Sequence, residues 1–292
     1  MNLGGSCLRI LEGHNGSVTA LVMLADGRLA SGSEDHTIRL WDMSTGVCHA
    51  TLNGHVDTVT ALAVLADGRL ASASEDGTIG LWSPASGVCE ATTQKRSSVS
   101  ALAALADGRF ASGSVSGTIR LWNPASGVCE KTLKGHAGTV TALATLADGR
   151  LVSGSANGMI RLWHPASGVC EKTLEAHTGL VSALAVLADG RLASGSEDHT
   201  IKLWNMATGV CDATLKGHAG TVTALAALFD GRLAAGAVNG TIRLWNPASG
   251  VCEKTLKDHA GTVTALAALA DGRLTSGSRD LTIRVWQVSS GH

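Results

Sequence analysis

Residues 176–216, AHTGLVSALAVLADGRLASGSEDHTIKLWNMATGVCDATLK, decide the fold, because near-copies of this stretch fill the chain. Trp41, Trp82, Trp122, Trp163, Trp204, Trp245 and Trp286 follow one another at 41 residues, with a single 40-residue step into Trp122. Cys7, Cys48, Cys89, Cys129, Cys170, Cys211 and Cys252 keep the same beat. A period in this range is the signature of a solenoid, propeller or array, and it outranks any local secondary-structure reading.

Within the unit, ALAALAD has the composition of a helix, since Ala and Leu are strong helix formers. It is too short for an ordinary helix and follows Thr-Val-Thr, so it reads as an inner strand. Asp26-Gly27, Asp67-Gly68, Asp107-Gly108, Asp148-Gly149, Asp189-Gly190, Asp230-Gly231 and Asp271-Gly272 then predict a two-residue type I′ hairpin in every copy. Arg-Leu-Ala-Ser-Gly-Ser gives a second strand, Thr-Ile-Arg-Leu-Trp a third and Val-Cys-Glu-Lys-Thr-Leu a fourth. Pro84, Pro124, Pro165 and Pro247 all fall in the loop before the fourth strand, where a missing N–H harms no ladder. Four short strands per copy make an antiparallel blade, and the all-β reading is a seven-bladed β-propeller.

The two ends fit that ring. The last copy stops after Trp286-Gln287-Val288-Ser289-Ser290-Gly291-His292 and lacks a fourth strand, while residues 5–11 (GSCLRIL) align with residues 250–256 (GVCEKTL). The N-terminal strand is therefore expected to complete the last blade, which removes the free edges of an open array. One propeller domain covers 1–292, with blades at about 12–52, 53–93, 94–133, 134–174, 175–215, 216–256, and 257–292 plus 1–11.

Composition narrows the function. Lys plus Arg number 23 against 24 for Asp plus Glu, a balance that attracts neither phosphate backbones nor anionic membranes. The start, MNLGGSCLRILEGH, has no basic and apolar leader pattern, and no apolar run reaches bilayer length. Neither nucleic acid nor membrane is expected as a partner, and a cytoplasmic location is. Cysteines one repeat apart lie beyond the roughly 7 Å reach of a disulfide, which suits a reducing compartment.

Gly-His, the Asp-Gly turn, Ser-Gly-Ser-x-Asp and Ile-x-Leu-Trp together resemble the Trp-Asp (WD) repeat family over the whole chain. The name-giving aspartate follows tryptophan only at Asp42; the other copies have Ser83, Asn123, His164, Asn205, Asn246 and Gln287. The resemblance implies a tetrad of Trp, Ser, His and Asp bracing each blade. The matching sets are His14, Ser31, Asp35 and Trp41; His55, Ser72, Asp76 and Trp82; His177, Ser194, Asp198 and Trp204; and His259, Ser276, Asp280 and Trp286. Three blades depart: the third has Lys95 for histidine and Ser116 for aspartate, the fourth Asn157, and the sixth Ala235 and Asn239. These are expected to be the looser blades.

Ser, His and Asp together also suggest a hydrolase triad. Recurrence in four blades, always with a tryptophan, and no strand-to-helix nucleophile elbow argue against it. The dispersed His and Cys lack the short ligand spacing of zinc sites, and the glycine-rich strings open no helix as phosphate cradles do. No metal, cofactor or catalytic residue is expected, and the chain is read as non-enzymatic.

In related propellers the top face binds partners through three positions per blade. The first two map here to Ser17 and Thr19, Thr58 and Thr60, Ser98 and Ser100, Thr139 and Thr141, Leu180 and Ser182, Thr221 and Thr223, and Thr262 and Thr264. The third gives Glu34, Glu75, Val115, Ala156, Glu197, Val238 and Arg279. Against this bland ring, Glu34, Glu75, Glu197, Leu180, Arg279 and the Lys95-Arg96 pair are the candidate contacts. The resemblance implies a scaffold for a protein or peptide, and a monomer is expected because a closed ring has no need of a second copy. The alternative, favoured by the near-identical copies and the bland ring, is a structural, engineered or recently amplified array without a dedicated ligand, or such an array cut from a larger protein at the ring-closing seam.

Overall fold

A computed structural model describes residues 6–94 and 97–288. They form seven four-stranded antiparallel sheets, each a blade. In blade 1 the strands run from the axis outward as Val18–Met23, Leu29–Ser33, Ile38–Trp41 and Cys48–Leu52. The innermost strands are therefore the Ala-Leu-rich segments: tertiary packing overrides their helix propensity, as their length requires.

The ring closes as the ends predict. Cys7–Leu11 pairs antiparallel with Ile283–Trp286, in one sheet with Leu274–Ser278 and Val263–Ala268. Leu11 is buried there, and Gln287 N donates to Ser6 O at 3.2 Å.

The first hairpin differs from expectation. A type I′ turn needs positive φ at two residues, yet only Gly27 of the pair has it (φ 84°), and among the described residues the non-glycines with positive φ are His36, His199 and Leu281. Gly27 N donates to Leu24 O and Leu24 N to Arg28 O, the pattern of a type I turn closed by a left-handed glycine. Asp26 instead holds the arginine that follows: its carboxylate accepts from Arg28 N (3.1 Å), Nε (2.9 Å) and Nη2 (2.6 Å). Arg28 Nη2 also reaches Pro84 O of the next blade (2.9 Å), and Arg191 and Arg232 reach Pro247 O and Val288 O likewise. The Asp-Gly-Arg hairpin thus ties each of these blades to its neighbour.

The core lies between blades. Leu24, Ile38, Leu40 and Leu52 of blade 1 pack on Val59, Leu70 and Trp82 of blade 2, and equivalent clusters repeat around the ring. Each such buried aliphatic contributes about 2 kcal/mol. The second strand supplies a notch for the fit: a Cβ on Gly32 would lie 2.6 Å from Val59 Cγ1, and the same holds for Gly195 against Val222. Blade 2 has Ala73 in the notch, facing Val99.

A hydroxyl belt joins the inner strands. Thr60 Oγ1 donates to Val99 O (2.6 Å) and Ser100 Oγ to Val140 O (2.5 Å). Thr19, Thr141, Ser182, Thr223 and Thr264 donate to Val59, Val181, Val222, Val263 and Val18 carbonyls. The last of these crosses the seam where the ring closes.

Candidate functional site

The second-to-third strand turns and the loops entering each inner strand share one face, with the tetrads directly beneath. In blade 1 Trp41 Nε1–H donates to Ser31 Oγ (2.8 Å), and Ser31 Oγ is 2.7 Å from His14 Nε2. His14 Nδ1 is 2.8 Å from Asp35 Oδ2. A hydroxyl that accepts from the indole has its own proton to give to Nε2, so Nδ1 carries the imidazole hydrogen and donates it to the carboxylate. The structure brings together His55, Ser72, Asp76 and Trp82 (Nδ1 to carboxylate 3.3 Å), His177, Ser194, Asp198 and Trp204 (2.8 Å), and His259, Ser276, Asp280 and Trp286 (2.7 Å) in the same way.

Two further donors complete each network, and the sequence reading did not name them. Thr37, Thr78, Thr200 and Thr282 hydroxyls each donate to the aspartate Oδ1 at 2.6 Å. The backbone N–H after each histidine (Asn15, Val56, Thr178, Ala260) donates to Oδ2. The available signal was the threonine that recurs two residues after each tetrad aspartate.

These bonds set the charges. Burial alone would raise Asp35, but bonds from Thr37, the Asn15 N–H and His14 hold it down to about 2; Asp76 and Asp280 are held at about 2 and Asp198 is lowered in the same way. Burial pushes His14, His55, His177 and His259 below the ordinary imidazole value, although their aspartates pull the other way. The pair at neutral pH is a neutral imidazole bonded to a carboxylate.

The three departing blades are built otherwise. In blade 4 Trp163 and His136 meet Ser153 Oγ (2.8 and 2.6 Å), but buried His136 Nδ1 has no hydrogen-bond partner among the described residues. Asn157 Oδ1 accepts from Met159 N (3.4 Å), as Asp35 Oδ1 does from Thr37 N. In blade 6 Ala235 removes the hydroxyl and Trp245 Nε1 donates straight to His218 Nε2 (3.4 Å), leaving buried His218 Nδ1 unpaired among the described residues. Burial, aided by the Arg161 and Arg243 guanidiniums, lowers His136 and His218 to about 4. Blade 3 keeps the Trp122 to Ser112 bond (2.8 Å), with Ser116 Oγ beside Ser114 Oγ (2.9 Å). Lys95, which stands in the histidine's place, lies outside the described residues, as does Arg96.

Of the candidate contacts on this face, Glu34, Glu75, Glu197 and Arg279 are exposed and Leu180 is half-buried. Glu34 accepts from Ser17 Oγ (2.7 Å). Half of the expected Ser/Thr lining is spoken for: Thr19 and its counterparts form the hydroxyl belt, with their protons directed to the next blade. The opposite face carries the shallow grooves between adjacent hairpins, and one of them, about 340 Å³, is bordered by Phe229. Phe229 is 72% exposed and replaces the alanine of the other hairpins.

Comparison with known proteins agrees with this architecture. The WD domain, G-beta repeat profile matches residues 5–42, 46–83, 87–123, 127–164, 168–205, 209–246 and 250–287. The chain is 49% identical over 43 residues to vegetative incompatibility protein HET-E-1 of Podospora anserina, covering 14% of this chain and 3% of that protein. It is 55% identical over 40 residues to cross-pathway control WD-repeat protein 2 of Flammulina velutipes, 13% of each chain. It is 47% identical over 49 residues to human WD repeat-containing protein 86, 16% of this chain and 13% of that one. Each match spans about one repeat and a small fraction of the relative's length.

Proposed function

The chain belongs to the WD domain, G-beta repeat family, and from that premise we propose that it is a non-enzymatic scaffold presenting its top face to a protein or peptide. The observation that carries the reading is where the copies differ. Their cores nearly coincide, while the exposed residue at the second-to-third strand turn runs through Glu34, Glu75, Val115, Ala156, Glu197, Val238 and Arg279. Exposed positions that vary over a fixed frame are where recognition resides in a repeat ring. The tetrad serines supply no nucleophile to solvent, because Ser31, Ser72, Ser194 and Ser276 are fully buried. A cytoplasmic monomer is part of the same proposal.

The test is a proteomic pull-down with the parent chain, a top-face variant (Glu34→Ala, Glu75→Ala, Leu180→Ala, Arg279→Ala) and an opposite-face control (Phe229→Ala). Partners lost with the first and kept with the second support the reading. Loss with Phe229→Ala alone would move binding to the other face. Recovery of nothing specific would favour a structural array without a dedicated ligand, the reading that the near-identity of the copies supports.

A further inference from the structure

Asn157 and Asn239 stand where four other blades have the tetrad aspartate, and each is followed by a glycine. We propose that these two asparagines are modification sites, whose spontaneous deamidation produces the carboxylate that their blades lack. Both are exposed at the tip of a tight turn, while the histidine below them is buried with an unpaired Nδ1.

The chemistry needs only water. The Gly158 backbone nitrogen, deprotonated by base, attacks Asn157 Cγ; the new C–N bond closes a succinimide as the Cγ–Nδ2 bond breaks and ammonia leaves. Water then adds to one imide carbonyl. Opening at Cγ restores the main chain with an aspartate side chain; opening at the main-chain carbonyl gives isoaspartate, with an extra carbon in the backbone. Glycine favours the first step because no Cβ hinders its nitrogen. In the closed turn that nitrogen is engaged, donating to Ser155 O (3.1 Å), as Gly240 N does to Ala237 O (3.1 Å). The reaction therefore proceeds through local opening of an exposed turn.

What distinguishes these sites is the fate of the product. Asn15-Gly16 and Asn53-Gly54 are exposed Asn-Gly pairs too, but a carboxylate there has no waiting donor of this kind. In blade 6 the Trp245 N–H fixes the tautomer: Nε2 accepts, so His218 Nδ1 bears a hydrogen with nowhere to go. In blade 4 the Ser153 hydroxyl has the same effect on His136. Asn157 Oδ1 already accepts from Met159 N, and Asn239 Oδ1 from Thr241 N (3.2 Å) and Oγ1 (2.7 Å), as the aspartate Oδ1 does elsewhere. Conversion thus replaces Nδ2 by an acceptor at the place where Asp35 Oδ2 receives His14 Nδ1 and Asn15 N. The completed network then holds the turn shut against a second cyclisation, so aspartate accumulates over isoaspartate.

The experiment ages the full chain in mildly alkaline buffer and maps acid and isoaspartate at positions 15, 53, 157 and 239 by peptide mass spectrometry. In parallel, Asn157→Asp is melted against the parent, with and without His136→Gln. Expected are conversion at 157 and 239, a higher aspartate-to-isoaspartate ratio there than at 15 and 53, and an Asn157→Asp midpoint about 2 °C above the parent, a gain that His136→Gln removes. An intact amide at 157 after Asn15 and Asn53 have converted would overturn the proposal. So would an Asn157→Asp protein that melts at or below the parent.

Discussion

Blades 1, 2, 5 and 7 and blades 4 and 6 have the same four-stranded order and the same tryptophan, yet they dispose of one buried hydrogen differently. In the first group the histidine Nδ1–H ends on a carboxylate; in the second it ends on nothing among the described residues. An unmade bond on a buried donor costs more than an average bond contributes, about 1–3 kcal/mol against about 1. The ring tolerates it because each blade is braced by two neighbours through apolar packing that does not depend on the tetrad.

Acid is the strongest way to expose this difference. An unfolded imidazole takes up its proton near pH 6.5, while His136 and His218 in the folded ring stay neutral down to about 4. The unfolded chain therefore binds more protons within that window. Their contribution is fully present above 6.5, falls as pH drops, and is lost once the pH has passed through 4. Between pH 6.5 and 5 each costs about 1.5 kcal/mol, about 3 kcal/mol together. The intact histidines shift in the same direction, tempered by their aspartates. Denaturant midpoints across this range should fall steeply, and His136→Gln with His218→Gln should flatten the slope. An unchanged slope would mean that the orphaned imidazoles are not what acid attacks.

Ser194→Ala tests the intact side. It removes the hydroxyl that serves the Trp204 N–H and His177 Nε2 at 2.9 and 2.7 Å, and leaves them only the long direct bond that blade 6 makes without its serine (3.4 Å). The expected loss is about 2 kcal/mol, against less than about 1 for His218→Gln, whose network already lacks its serine and aspartate. Equal losses, read from thermal or urea unfolding, would show that the tetrads are incidental to packing.

The notch between blades offers a milder comparison. Gly195→Ala places a Cβ 2.6 Å from Val222 Cγ1, which must shift within a full core; the cost should be about 1 kcal/mol. Ala73→Gly, at the one notch already filled, removes a buried methyl and should cost about 1 kcal/mol in packing and backbone entropy together. A Gly195→Ala protein as stable as the parent would mean that the notch is not size-selective.

Much of this was written in the repeat. The period, the strand order, closure by residues 7–11 and the spacing of the four complete tetrads are all properties of one unit copied around a ring, so one reading serves every blade. What escaped depends on distances between copies or on loop geometry. Asp26-Gly27 signals a hairpin but not its length, and the structure uses a three-residue turn in which the aspartate binds arginine. Thr19 looks like a surface residue because nothing within its own unit accepts its proton; the acceptor is Val59 O, forty residues on. Gly80 is another case. It replaces the Arg or Lys of the other blades, and a Cβ there would stand 2.7 Å from Trp82 Nε1, so the indole edge occupies the vacated room while still donating to Ser72.

The smallest expected effect lies on the top face, at a turn position where glycine and non-glycine blades can be compared. Gly77, Gly117, Gly158 and Gly240 take φ of 76–80° there, and His36, His199 and Leu281 take 66–69°. Histidine tolerates the left-handed region better than leucine, whose side chain gains no local hydrogen bond in return. Leu281 is 41% exposed, so little burial offsets the strain. Leu281→Gly should therefore stabilise by about 0.5 kcal/mol, the relief of strain less the greater entropy that glycine has when unfolded. Leu281→Ala separates the causes: it removes the same exposed side chain but keeps the strained φ, and should gain nothing. Equal gains from the two would assign the effect to the exposed leucine rather than to the backbone.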